Sequence, residues 1–145
     1  MIDCNDNPTP VTRHLVPESQ RMAVVADLFD IHFPLRLEPV IYGITREMTQ
    51  GQYQGGYWLF YTLENGGFYM APDDNNRIFN VRCNNHWQGT LSADALGVVS
   101  CLYAYSHLSF SRYKDLGQLC GRHFHQLREY VIDHAEAAAI LGAID

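Results

Sequence analysis

Hydrophobic and polar positions follow two different periods along this chain, and the changes of period divide it into three stretches. From Val16 to Met48 the spacing is helical. Pro17 opens a first helix, where a proline is tolerated in the first turn, and Met22, Val25, Ala26 and Phe29 share one face. Phe33-Pro34 is expected to break it. Val40, Ile41, Ile44 and Met48 then stripe a second helix that starts near Glu38-Pro39.

From Tyr53 to Leu91 the pattern changes to that of strands. Leu59 to Leu63 and Phe68 to Ala71 flank Asn65-Gly66, the pair that suits a two-residue type I′ turn with positive φ at both positions. Pro72, which has no N–H, ends the ladder. This turn predicts Leu63 opposite Phe68 and Tyr61 opposite Met70, with Trp58, Phe60, Thr62, Tyr69 and Ala71 on the other face. Both faces are apolar or aromatic, the mark of a sheet covered on both sides. After the polar turn Asp73 to Asn76, the segment Arg77 to Cys83 alternates cleanly, and Trp87 to Leu91 forms a short fourth strand weakened by Gly89.

Helical spacing returns at Ser92, which caps a helix with Asp94 in its first turn. Asp115 caps another that runs through Tyr130. Asp133 and Glu136 form an Asp version of a capping box for a last helix through Ile144. The expected fold is therefore α+β: a small antiparallel meander of three to four strands packed with N-terminal and C-terminal helices. Residues 1–16, with Asp3, Asn5, Asp6, Asn7, Pro8 and Pro10, are expected to be a flexible lead-in, and 17–145 a single domain.

Charge narrows the function. Sixteen acids against ten bases give −6 over 145 residues, and Lys114 is the only lysine. That balance opposes nonspecific DNA binding, which needs concentrated cations. It equally opposes imitation of DNA, because no acidic run exceeds two residues. No apolar run reaches the ~18 residues of a membrane span. Met1 to Pro10 lacks the basic start and apolar stretch of a secretory signal, so a cytoplasmic protein is expected. Cys4, Cys83, Cys101 and Cys120 are widely spaced, unlike the close pairs of zinc sites.

No nucleophile motif, phosphate loop or zinc-protease motif is present. His123 and His125 lie about 200° apart on a helix and cannot share a small ion unaided. Asp73 to Asn76 matches a calcium loop in composition only. Tyr57, Trp58, Phe60 and Tyr61 could stack on bases, but no basic groove accompanies them. No cofactor, metal ligand or catalytic residue is expected.

Three blocks, YWLFYTLENGGFYMAP, LSADALGVV and EAAAILGAID, stand in an order that resembles the ArdB/KlcA antirestriction proteins. The likeness runs from about Val11 to Asp145. It implies a small α+β inhibitor from a plasmid or other mobile element that relieves type I restriction–modification in a bacterial host. The implied route is contact with the type I restriction complex, or with a host factor controlling it, without catalysis, direct DNA binding or DNA mimicry. Candidate contacts are Asp73 and Asp74 on a loop, Trp87 near a sheet end, and Asp145, whose charge sits at the unfavourable end of the last helix. Two alternatives stay open: an enzyme acting on a nucleotide or nucleic acid, and a sequence-specific DNA-binding regulator.

Overall fold

The computed structural model describes residues 9–145. The start of the expected lead-in, with Cys4, lies outside the described residues. Strands β1 (Arg13–Leu15), β2 (Trp58–Leu63) and β3 (Phe68–Pro72) form one antiparallel sheet in the order β1-β2-β3, and β4 (Ile78–Arg82) pairs with β5 (Gln88–Ser92) in a separate hairpin. Helices α1 (Arg21–Phe29) and α2 (Glu38–Met48) precede the hairpins, and α3 (Ala93–Leu108), α4 (Lys114–Val131) and α5 (Ala137–Ile144) follow them. This is the α+β architecture the sequence predicts, with its strands divided between two sheets. Arg13–Leu15, inside the expected lead-in, pair with Tyr61–Leu63 of β2. No helix of the described residues is long and apolar enough to cross a membrane.

Helix α3 is the hub. Residues on every side of it are buried, which a helix apolar all round requires. It lies against the outer edge of β3 and closes it. Cys101 Sγ sits 3.5 Å from the Met70 N–H, and the Tyr105 hydroxyl donates to the Phe68 carbonyl at 2.7 Å. Backbone groups that would invite another strand are thereby occupied. Gly97 permits the approach, because a Cβ there would stand 2.4 Å from the Met70 carbonyl oxygen. The outer edge of β4 is closed differently. The Gln52 side chain donates to the Ile78 carbonyl and accepts from the Asn80 N–H, as a neighbouring strand would.

Four local expectations change. The β2–β3 connection is a three-residue loop: the Leu63 N–H donates to Gly67 and the Gly66 N–H donates to Leu63, with only Gly66 at positive φ, 91°. Asn65 instead turns its side chain onto the Gly67 N–H and donates to the Gln126 carbonyl of α4. The register therefore moves by one residue. Thr62 faces Phe68, Tyr61 faces Tyr69 and Phe60 faces Met70. One sheet face now carries Phe60 and Phe68, packed edge-on with Phe33, and the other gathers Tyr61 and Tyr69.

The remaining three concern helix ends. Helix α1 stops at Phe29, where Asp30 takes φ 53°, and the Phe33-Pro34 expected as the break lies in a π-turn, Phe33–Leu37, that leads into α2. Pro39 explains the wide turn. It has no N–H and its ring crowds the carbonyl four residues back, so the Glu38 N–H reaches five residues back to Phe33. Helix α4 begins at Lys114 behind Tyr113, without a cap from Asp115, whose carboxylate meets His32. Helix α5 begins only at Ala137, because Glu136 is drawn away to Ser92.

Candidate functional site

The one-residue shift in the hairpin decides what faces α3's first turn. It puts Tyr69 beside Tyr61, on the face where Arg13 lies opposite Leu63. Ser92 caps α3 by accepting from the Ala95 N–H, which aims Asp94 from the first turn toward the same face. His134 arrives from the irregular segment between α4 and α5. These four side chains meet at the Asp94 carboxylate. Arg13 Nη1 donates to Oδ1 at 2.7 Å, the Tyr69 hydroxyl donates to Oδ1 at 2.8 Å, and His134 Nε2 donates to Oδ2 at 2.7 Å. Arg13 Nη1 also donates to the Tyr69 hydroxyl at 2.6 Å and spreads over the Tyr61 ring. Tyr130 of α4 stacks on Tyr69.

Electrostatics follow from this geometry. Burial opposes the Asp94 charge, but hydrogen bonds from His134 and Tyr69 and the Arg13 cation outweigh it and hold the carboxyl below its usual range. Burial, with the Asp94 charge beside it, pushes the Tyr69 phenol far up, so it stays a neutral donor. The Glu136 N–H donates to His134 Nδ1 at 2.9 Å, which fixes the imidazole proton on Nε2. Both ring nitrogens are therefore hydrogen-bonded within the fold. Ser92 is engaged as well, between the Ala95 N–H and the Glu136 carboxylate. The cluster holds an aspartate, a histidine and a serine, each hydrogen-bonded to other groups of the fold. Its arrangement suits fastening the sheet, α3 and the α4–α5 junction to one another.

Comparison with known proteins shows what kind of chain this is. The family model for antirestriction proteins matches residues 51–145. Antirestriction protein KlcA of Escherichia coli is 38% identical over 142 residues, covering 97% of this chain and 99% of that protein. The uncharacterized protein YafX of Escherichia coli K12 is 41% identical over 135 residues, covering 90% and 85%. A solved structure from work on the KlcA and ArdB proteins, reported to show a novel fold, superposes with a TM-score of 0.86 at 38% identity, covering 97% and 99%. This chain belongs to the antirestriction protein family.

In this antirestriction protein the three blocks of family likeness converge. Tyr69 comes from the first, Asp94 from the second and Glu136 from the third, and all bear on the same cluster. The sequence placed Asp94 at a helix start but did not join it to Arg13, Tyr69 or His134. The usable signal was polar side chains inside otherwise apolar blocks.

The contact candidates named from sequence come from the β3–β4 turn, the residue before β5 and the end of α5. Asp73 is exposed and Asp74 half-buried on the β3–β4 turn. Trp87 lies between the hairpin and α5: a Cβ on Gly89 or Gly142 would meet its ring at 2.6 or 2.9 Å. Asp145 is exposed, 3.7 Å from Arg128. Of the two histidines weighed as a pair, His123 is buried and His125 exposed. Among the described residues no group of three or more His, Cys, Asp and Glu side chains could hold a metal ion.

Proposed function

We propose that this protein relieves restriction by type I restriction–modification systems in the cytoplasm of a bacterial host, by contact with protein and without bond-making chemistry of its own. The supporting observation is its match, over nearly the whole chain, to the structure of proteins reported to have antirestriction activity against type I DNA restriction systems in vivo but not in vitro. An activity present in cells and absent outside them is what an inhibitor produces when it needs a cellular component. That favours a host factor controlling the restriction complex over the complex alone. The closed state of Asp94, His134 and Ser92 supports the non-catalytic half of the reading.

Asp73, Asp74, Trp87 and Asp145 are the contact groups this reading offers. Trp87 also packs the hairpin onto α5, so its removal has to be judged together with stability.

The test is plating of unmodified phage on a type I restricting strain, with and without the protein. Relief of at least tenfold is expected, together with little inhibition of the purified restriction enzyme. Equal plating rejects the function. Turnover of a nucleotide by the purified protein replaces the inhibitor with an enzyme. Undiminished relief by Asp73→Ala, Asp74→Ala, Trp87→Ala and Asp145→Ala variants removes those four groups and leaves the function standing.

A further inference from the structure

On the flank of the molecule formed by the π-turn and the α3–α4 loop, the side chains have little structural work to do. The Arg36 guanidinium lies 4.0 Å from the centre of the Tyr113 ring and that of Arg112 lies 5.3 Å from it. Neither pairs with a carboxylate among the described residues. Arg36 instead meets His32 Nδ1, and the nearby Asp115 is occupied by His32 Nε2 at 2.8 Å. Lys114 follows directly in sequence. Hydrogen bonds from Arg36 and Arg112, and then their charges, draw the exposed Tyr113 phenol below its usual range. On a chain of net charge −6, this is a local reversal of sign.

The same flank exposes apolar side chains. Ile31 and Leu35, one turn apart, are 56% and 57% exposed, and Phe110 at the tip of the α3–α4 loop is 88% exposed. On the other side of the π-turn, a cleft of about 370 Å³ opens between Val25, Phe33, Pro34 and Phe60, with Arg21, Asp30 and Glu38 also along its lining, so that it suits the apolar anchor and not the acidic part of a partner. Met22, expected in the core, stands 85% exposed at its rim. Aromatic and aliphatic anchors beside unpaired arginines have the anatomy of a protein interface.

We propose that this surface, centred on Tyr113 and Arg36, docks an acidic segment of a partner protein that carries an apolar anchor for the cleft. The proposal rests on the protein-contact reading above. Charge complementarity sets the acidic character, since Arg36 and Arg112 meet no carboxylate among the described residues and are free to take one from a partner. Protein fits better than nucleic acid for two reasons. Ile31 and Leu35 add aliphatic area that bases do not use beside the rings of Tyr113 and Phe110, and a few cations on an anionic body make a poor track for a phosphate chain.

The experiment uses the full chain in restricting cells. Three proteins are compared by phage plating: wild type, Arg36→Glu with Arg112→Glu, and Leu35→Ser with Phe110→Ser. A photo-crosslinking residue is placed at position 110 and, as a control, at the exposed Ile132. Each double substitution should lower relief at least tenfold while thermal unfolding of the purified protein stays unchanged. Position 110 should yield one discrete protein adduct that is mapped to an acidic segment, is missing at position 132 and is lost on charge reversal. Full relief by both double variants overturns the docking surface and leaves the function intact. An adduct to DNA or to a second copy of this chain at position 110 also overturns it. A wild-type chain giving no relief rejects the function reading, and the docking claim with it.

Discussion

Arg13 lies 4.3 Å from the centre of the Tyr61 ring, and Arg36 lies 4.0 Å from that of Tyr113. The pairs are chemically the same, but their surroundings are opposite. Arg13 also meets Asp94 and Tyr69, and through Asp94 it is tied to His134, so two strands of the sheet, α3 and the α4–α5 junction close on one carboxylate. Arg36 meets an imidazole nitrogen and no carboxylate. At Asp94 the polar groups close on one carboxylate, whereas around Tyr113 neither arginine meets a carboxylate among the described residues. The difference separates residues that hold the fold from residues free to recognise something else. It predicts that substitutions on the first side act through stability and those on the second through activity alone.

The largest effect should come from the hub that carries Asp94. Gly97→Ala would drive a methyl to 2.4 Å from Ala71 Cα and the Met70 carbonyl oxygen. Backbone cannot swing aside as a flexible side chain can, so α3 must lift from the β3 edge. The expected cost is at least ~3 kcal/mol, the upper end of overpacking. A urea titration followed by circular dichroism measures it, and a cost below ~1 kcal/mol would mean that α3 does not seal the sheet.

Asp94→Ala comes next. It leaves Tyr69 without its acceptor and Arg13 and His134 without their partner, at a cost of about 2–3 kcal/mol for hydrogen bonds to a charged group. The acid is partly open to solvent, which keeps the figure below that of a fully buried pair. The pH sign is definite. The folded carboxyl lies below its usual range, so its contribution is complete above the unfolded value, about 3.9, and is lost as pH falls through the folded one. Wild type and variant should converge in stability in strong acid. A constant gap down to pH 2 would contradict the network.

A third test falls on His123, which lies between the two regions. It is buried against Phe29 and Tyr105, with Nδ1 lacking a hydrogen-bond partner. Burial, aided by the Arg122 charge, lowers its pKa to about 4 from the ordinary 6.5. Below pH 6.5 the unfolded chain binds a proton that the folded chain refuses. Stability is therefore full above 6.5 and falls by up to ~1.4 kcal/mol per unit until about pH 4. Between pH 7 and 5 the wild type should lose about 2 kcal/mol more than His123→Phe, which keeps the aromatic packing and removes the proton site. Equal slopes in urea titrations at the two pH values would remove His123 as the cause.

Much of this was legible in the sequence, and the gaps have physical reasons. Helical spacing located α2 and the Ser92 cap because both are local. The register of β2 and β3 was missed because Asn65, besides accepting from the Gly67 N–H in its own loop, is tied to Gln126, 61 residues on. The start of α5 was missed because Glu136 answers to Ser92. The family resemblance was visible in three blocks, but their meeting at Asp94 follows from the missed register. The exposed flank was hidden for another reason. Met22 shares a helical face with Val25 and Phe29 in the sequence, and only the packing shows that none of the described residues covers it.

The smallest expected effect sharpens the contrast most. Phe110→Ser removes a large aromatic group that is 88% exposed, stacks on no ring among the described residues and sits in a loop outside the helices. Little apolar area returns to water, because most of it is already there, so the stability change should stay within about 0.5 kcal/mol. A buried phenylalanine truncated in the same way would cost about 3–5 kcal/mol. Differential scanning calorimetry separates these outcomes. A loss above ~1 kcal/mol would mean that Phe110 packs against the body of the protein, and the flank would then be covered surface with no room for a partner. Unchanged stability means that nothing within the fold accounts for an exposed phenylalanine at a loop tip beside two unpaired arginines.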